Sequence, residues 1–419
     1  MKEIKAIILA AGKGVRMKSE MPKVLFQANG LPLLWYPVDA ARRAGVTGMI
    51  AIVGAGRQAV MDAFAGQGLD FVVQEPQLGT GHAVKCAREA LTGFDGYVFV
   101  LCGDAPLIRP ETLSALFEHT VSSGAVCTVL TCTLDEPTGY GRVIRGRHGV
   151  ERIVEEKDAD DAQKAVREIN SGTYCFHWRD LDSVLDKITP VNQQGEYYLT
   201  DAVELFIADG KRVEAFISDS PDEALGVNSR SQLALVSRAL RMRIVEHWLF
   251  EGVTIVDPSS TFIDARAKIG LDTVIKPFVV IEGPVTIGAG CSIGPFTHVR
   301  GASGIGDRAA VGNFVEVKES HIGADSRAKH LAFLGDASIG DDVNIAAGVI
   351  TANSDGKNIH VTEIGDGATI GAGTILVAPT SVAPHAATGA GAVVTKNKIV
   401  PPGETWVGVP AAKLEKDRQ

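Results

Sequence analysis

No stretch of this 419-residue sequence approaches the roughly 20 consecutive apolar residues that span a bilayer, so membrane insertion is not expected. The N-terminus passes almost at once into a strand-like run, IKAIILA, and lacks the longer apolar stretch and small-residue cleavage site of a signal peptide. No block of Lys and Arg offsets an acidic balance of 41 basic against 50 acidic residues, a formal charge of −9. Nucleic acid and anionic membrane are therefore not expected partners. The six cysteines, Cys86, Cys102, Cys127, Cys132, Cys175 and Cys291, form no C-x-x-C pair and have no histidine at zinc-site spacing. They read as buried thiols in a reducing compartment, and the expected location is cytoplasmic. Glycine is the residue in excess: 46 of 419, against an average near ~7 %, with no G-X-Y period to make the chain collagen-like. The chain must use many tight turns, and its length exceeds what one small domain needs.

Up to about residue 228, short β-branched runs alternate with helical stretches, which predicts an α/β domain on a mostly parallel sheet. Strands are expected at Ile4–Leu9, Met49–Val53, Phe71–Val73, Tyr97–Cys102, Ala125–Thr131 and Gly172–Phe176. The charge-dense block Glu151–Glu168 reads as a solvated helix or loop, and residues 229–250 as a connecting helix. From residue 251 the period becomes six. Ile263, Ile269, Ile275, Ile281, Ile287, Ile293, Val299, Ile305, Val311 and Val317 follow one another without interruption. The phase slips by one at Ile322, breaks over 351–363 and resumes at Ile364. An α-helix cannot hold a six-residue repeat on one face, whereas a solenoid with three short faces per coil places every sixth aliphatic residue inside. Residues 251–419 are therefore expected to form a parallel β-helix of hexapeptide repeats.

The first chemical motif is LAAGKGVRM, residues 9–17, with Pro22-Lys23 close behind. It begins like a dinucleotide loop, but Arg16 stands where the third glycine belongs. Gly12 and Gly14 let backbone N–H groups approach phosphates, and Arg16 and Lys23 add the fixed charge a triphosphate needs. Nucleotidyl transfer fits this arrangement better than hydride transfer. In QEPQLGTGH, the groups around Gln74, Gln77, Gly79 and Thr80 supply the donors and acceptors needed to read a pyrimidine, while His82 reads first as a packing histidine. In LCGDAPL, an apolar strand ends at Gly103-Asp104, placing a hard carboxylate where a parallel sheet presents its ligands.

In this order the motifs resemble the bacterial bifunctional N-acetylglucosamine-1-phosphate uridyltransferase/glucosamine-1-phosphate N-acetyltransferase family, over nearly the whole chain. The resemblance implies a Rossmann-like nucleotidyltransferase domain followed by a left-handed parallel β-helix. It implies UTP binding by Leu9, Ala10, Ala11, Gly12, Gly14, Gln74, Gln77, Gly79 and Thr80, and magnesium held by Asp104 and Asn228. N-acetylglucosamine 1-phosphate would be held by Gly141 of PTGYGR, Glu155 of IVEEKD, Asn170 of EINSGTY and Asn228 of GVNSR. Arg16 and Lys23 would offset charge on the transferred group and the leaving pyrophosphate.

For the second half the family implies a homotrimer that binds acetyl-CoA and acetylates glucosamine 1-phosphate. Arg300 and Lys318 match sugar-phosphate binders, Asn344 and Asn353 match further substrate positions, and His330 matches the general base. This chain departs from the pattern in several places. Phe333 and Ser354 stand where the family has tyrosines, Ile359 stands at or near a lysine position that Lys357 could partly fill, and the β-helix is shorter by roughly two coils. Impaired or altered acetylation is the resulting expectation. The alternatives are a fully bifunctional enzyme, a uridyltransferase with a trimerising or binding module, and an acyltransferase for another amino-sugar.

Overall fold

A computed structural model describes residues 2–147 and 149–415. The chain divides into two compact units, 1–239 and 240–419, and the division falls inside the helix Arg230–Phe250.

The first unit is built on a sheet whose main strands run in the order Val213–Ile217, Cys127–Thr133, Glu168–His177, Tyr97–Cys102, Ile4–Ala10, Gly48–Val53, Asp70–Val73. Ile4–Ala10 pairs in parallel with Gly48–Val53 and Tyr97–Cys102, and only Glu168–His177 runs against its sheet neighbours Tyr97–Cys102 and Cys127–Thr133. Near-continuous burial of Ile4–Ala10 and Tyr97–Cys102 follows from cover on both faces. One packed layer gathers Ile7, Ile52 and Val100, the other Ile8, Val53 and Leu101, so successive residues of one strand feed opposite cores.

The charged block corrects one expectation. Residues 151–154 belong to a strand, Gly149–Val154, in a hairpin with Arg142–Gly146. Val150 and Ile153 are buried there, while Glu151 is exposed. Charge on the wet face of a half-buried strand gives the same composition as a solvated helix, so composition alone misled. A short helix, Asp161–Lys164, follows behind a reciprocal cap between Asp160 and Gln163.

The second unit is a left-handed β-helix of mostly two- and three-residue strands paired in parallel between coils, with two nine-residue strands, Ala310–Lys318 and Arg327–Gly335. Ile275 lies in register with Ile293, and Ile293 with Val311, one coil apart. All three are fully buried, along with Val299, Ile305 and Leu376 in the same interior. The phase slip has a direct cause: Ile305 pairs with Ile322 and Ile322 with Ile339, coils one residue short. The break is a longer coil, in which Ile339 pairs with Ile364 and residues 353–360 form a protruding loop closed by a Ser354–Ile359 bridge. Thr351 occupies an interior position in that coil because its hydroxyl donates to Gly335 O at 2.9 Å and accepts from Gly335 N at 2.7 Å.

All six cysteines carry free thiols; Cys127, Cys132, Cys175 and Cys291 are buried, and Cys86 and Cys102 partly so. Among the described residues no helix is long and apolar enough to cross a membrane.

Candidate active site

The parallel strands of the first unit send their carboxyl ends to one edge, which is where a ligand cleft forms in such sheets. A cleft of about 460 Å³ lies there, lined by Leu9, Ala10, Ala11 and Gly12 from the end of the first strand. Gln74, Gln77, Gly79, Thr80, Lys23 and Asp104 line it too. Gly14 does not. Its φ of +60° suits only a residue tolerant of the left-handed region, and a Cβ there would fall 2.8 Å from Lys23 Cβ, so Gly14 makes room for the lysine. Lys13 lines the cleft beside Gly12 and was missed from the sequence, although it lies inside the glycine motif.

The segment 74–80, expected to read the base, is held by its own backbone. Gly79 O accepts from Gln74 Nε2 at 2.9 Å, and the Gln77 amide packs so closely on Gly54 that a Cβ there would fall 2.2 Å from its nitrogen. Gly81 N donates to Tyr197 O and Tyr197 N to Leu78 O, both at 2.8 Å, tying this segment to residues 195–201, GEYYLTD.

Lys23, Asp104 and Asn228 come together across the sequence. Lys23 Nζ donates to Asp104 Oδ2 and, at 2.9 Å, to Asn228 Oδ1; the lysine and aspartate side chains are only 12 % and 18 % exposed. Two hard oxygens thus converge on one cation, the Lys23 ammonium. That donor set fits a magnesium site completed by substrate phosphates and water.

A second cavity of about 310 Å³ shares Leu9, Thr80, Cys102 and Asp104 with the first. It gathers Gly141, Glu155, Asn170 and Asn228, the four residues expected at the sugar, and Arg16 with them. Asn170 is oriented by donating from Nδ2 to Tyr174 Oη at 2.7 Å and accepting from Gly172 N at 2.9 Å. Glu155 accepts from the Thr200 hydroxyl at 3.4 Å, yet burial dominates and raises its pKa. Tyr140, within PTGYGR, and Thr200, within GEYYLTD, also line this cavity and were missed, because neither side chain carries a charge or a metal-ligating group that would single it out. Burial likewise pushes the Cys102 thiol up to about 12, aided by Asp104, so it lines both cavities as a neutral group.

Beside Thr200, burial and then the charges of Glu204 and Asp158 push Asp201 from the usual 3.8 up to about 6. Below pH ~3 the carboxyl is protonated folded or unfolded and contributes nothing; as pH rises through ~4 toward ~6 the unfolded chain releases its proton first, so stability falls. Asp201→Asn is therefore expected to raise the melting temperature at pH 7.5 and leave it nearly unchanged at pH 3. Equal shifts at both pH values in thermal melts would contradict this.

In the second unit, Arg300 and Lys318 are in register on adjacent coils. Each has a carboxylate of its own: Arg300 bonds Glu316 at 2.7 Å, and Lys318 lies 3.5 Å from Asp336. Asn353 joins this group, its Nδ2 donating to Asp336 Oδ2 at 2.5 Å. His330 is exposed and in register with Asn313, and Asn344 is exposed on a separate strand. Among the described residues no hydrogen bond or ion pair joins either to the Lys318–Asp336–Asn353 group. The Phe333 ring packs beside Gly335, where a Cβ would fall 2.6 Å from Phe333 Cζ.

Comparison with known proteins places these sites in a family. Residues 6–169 match the MobA-like NTP transferase domain, and residues 266–301 match six bacterial transferase hexapeptide repeats. The chain is similar to Bifunctional protein GlmU of Heliobacterium modesticaldum, 44 % identical over 98 % of this chain and 97 % of that relative. The chain belongs to the GlmU family. It is also 45 % identical to the GlmU of Geobacillus thermodenitrificans, over 93 % of this chain and 92 % of the relative, and 43 % identical to that of Trichlorobacter lovleyi, over 95 % and 94 %. The alignment with the Heliobacterium GlmU runs to 446 residues, more than this chain contains, so that relative carries internal residues absent here. Among solved structures, a UDP-glucose pyrophosphorylase complexed with UDP-glucose matches with a TM-score of 0.47 and 19 % identity, over 58 % of this chain and all of that one. The first unit is a nucleotidyltransferase, a chemistry that generally needs a divalent metal, and the second carries bacterial transferase hexapeptide repeats.

Proposed function

We propose that residues 1–228 transfer the uridylyl group of UTP to N-acetylglucosamine 1-phosphate, giving UDP-N-acetylglucosamine and pyrophosphate. The observation that carries this reading is the meeting of Lys23, Asp104 and Asn228 where the two cavities share residues. Gln74, Gln77, Gly79 and Thr80 hold the uracil side, Leu9 to Gly12 approach the phosphates through the backbone, and Gly141, Glu155 and Asn170 hold the acetylated sugar. A phosphate oxygen of the sugar phosphate attacks the α-phosphorus of UTP as the bond to pyrophosphate breaks, with no protein nucleophile. Arg16 and Lys23 offset the charge on the transferred and leaving groups. Magnesium held by Asp104 and Asn228 would screen and orient the phosphates.

Residues 229–250 join this domain to an acetyltransferase-like β-helix, 251–419, that takes acetyl-CoA and glucosamine 1-phosphate but acetylates it poorly. The apolar ring of Phe333 and the carboxylates already paired with Arg300 and Lys318 support reduced affinity for that acceptor. A homotrimer is the proposed assembly. It is supported by the hexapeptide architecture and by the exposed, stacked rings of Phe278, Phe296 and Phe314, 4.9 and 5.2 Å apart along the coils.

One substrate screen with two readouts tests both halves. Pyrophosphate release should require UTP and N-acetylglucosamine 1-phosphate and survive in a 1–250 fragment; a folded fragment without turnover would refute the division of labour. Free-thiol release from acetyl-CoA should be weak with glucosamine 1-phosphate. Robust release abolished by His330→Ala would instead establish normal acetyltransfer.

A further inference from the structure

The packing around Gln74, the residue proposed to face the base, fixes how its amide is aimed. Gln74 is almost fully buried, and its amide nitrogen lies 2.9 Å from Gly79 O. A carbonyl oxygen only accepts, so the atom facing it must be the NH₂, which fixes the amide's orientation. The second hydrogen of that NH₂ points to His82 Nδ1 at 3.1 Å. His82 must then accept at Nδ1 and carry its proton on Nε2, where Cys86 Sγ lies at 4.0 Å. Burial, and then the charge of Lys85, lower the His82 pKa, which favours this neutral form. With both amide hydrogens used, only Oε1 of Gln74 is left for a ligand, and among the described residues nothing donates to it.

We propose that His82 is a positioning residue for base selection: by accepting from Gln74 Nε2 it makes Gln74 present an acceptor to the cleft, selecting a pyrimidine that bears hydrogen at N3. Uracil offers that N3–H. Cytosine offers a bare N3 lone pair, which leaves two acceptors opposed, an arrangement penalised by the full cost of an unpaired buried group. The inference rests on the reading that Gln74 faces the base of UTP. His82 touches neither base nor phosphate in this account and acts wholly through the amide.

The test compares kcat/KM for UTP and CTP, each with N-acetylglucosamine 1-phosphate, in the full-length protein and three variants. Asn at position 82 places its Oδ1 where His82 Nδ1 stands, so His82→Asn should keep the UTP preference. Gln is as polar but reaches toward the Nε2 position, so His82→Gln should lower the UTP/CTP ratio roughly 10- to 100-fold. A merely structural role would not separate these two amides, and equal ratios in the two variants would overturn the proposal. Gln74→Leu separates the underlying reading from the inference. If it leaves the ratio unchanged, Gln74 does not read the base; if it collapses the ratio while His82→Gln does not, only the role of His82 fails.

Discussion

Asp104→Ala should reduce pyrophosphate release from UTP and N-acetylglucosamine 1-phosphate by about 10³-fold or more, an effect of several kcal/mol on the barrier. Two losses combine in that substitution. The first is one of the two hard oxygens that converge on a single cation. The second is the only carboxylate in contact with the Lys23 ammonium among the described residues, leaving a largely buried charge with Asn228 alone. One point between two oxygens cannot hold both an ammonium and a divalent ion, so a metal bound there would have to displace Lys23. Removing Asp104 weakens both, whereas Asn228→Ala leaves the Lys23–Asp104 pair and should cost roughly 10-fold less. The distinguishing measurement is turnover against magnesium concentration. Asp104→Ala should need far more magnesium than the parent for any residual rate, and an unchanged magnesium dependence would remove Asp104 from the metal site.

How much of this was visible beforehand depends on whether the signal was periodic or spatial. The six-residue repeat announced the β-helix because each interior position recurs at a fixed spacing, and even the slip at Ile322 and the break before Ile364 correspond to a shorter and a longer coil. The six strands expected in the first unit fell within a few residues because buried strands are continuous apolar runs, whereas Val213–Ile217, a half-buried edge strand, was not among them. The hairpin strand carrying Glu151 escaped, since only its alternation distinguished it from a solvated segment. Contacts between distant residues escaped as well. Lys23 meets Asn228 across 205 positions, and nothing in either local sequence announces it. Arg300 and Lys318 read as sugar-phosphate binders, while their partners Glu316 and Asp336 become neighbours only through coil stacking.

Gly79→Ala should raise the KM for UTP about 100-fold while leaving the β-helix unit folded. Gly79 has φ +112° and ψ 176°, a region essentially closed to residues with a side chain, which costs ~1–3 kcal/mol to enforce. Space forbids the substitution independently: the added Cβ would fall 2.6 Å from Tyr197 O and 2.8 Å from Tyr197 N. Those two atoms are the ones that bond to Gly81 N and Leu78 O, so relief of the clash must break the tie between the base-reading segment and GEYYLTD. Gly79 O would move with its backbone, and it is the acceptor that holds the Gln74 amide. A single methyl group thus disturbs both the aim of the Gln74 amide and the backbone tie to Tyr197. Truncating Tyr197 to Ala would not reproduce the effect, because the contacts at risk are backbone ones. If Gly79→Ala binds UTP normally in titration calorimetry, the loop is more yielding than its dihedral angles require, and base recognition does not depend on this turn.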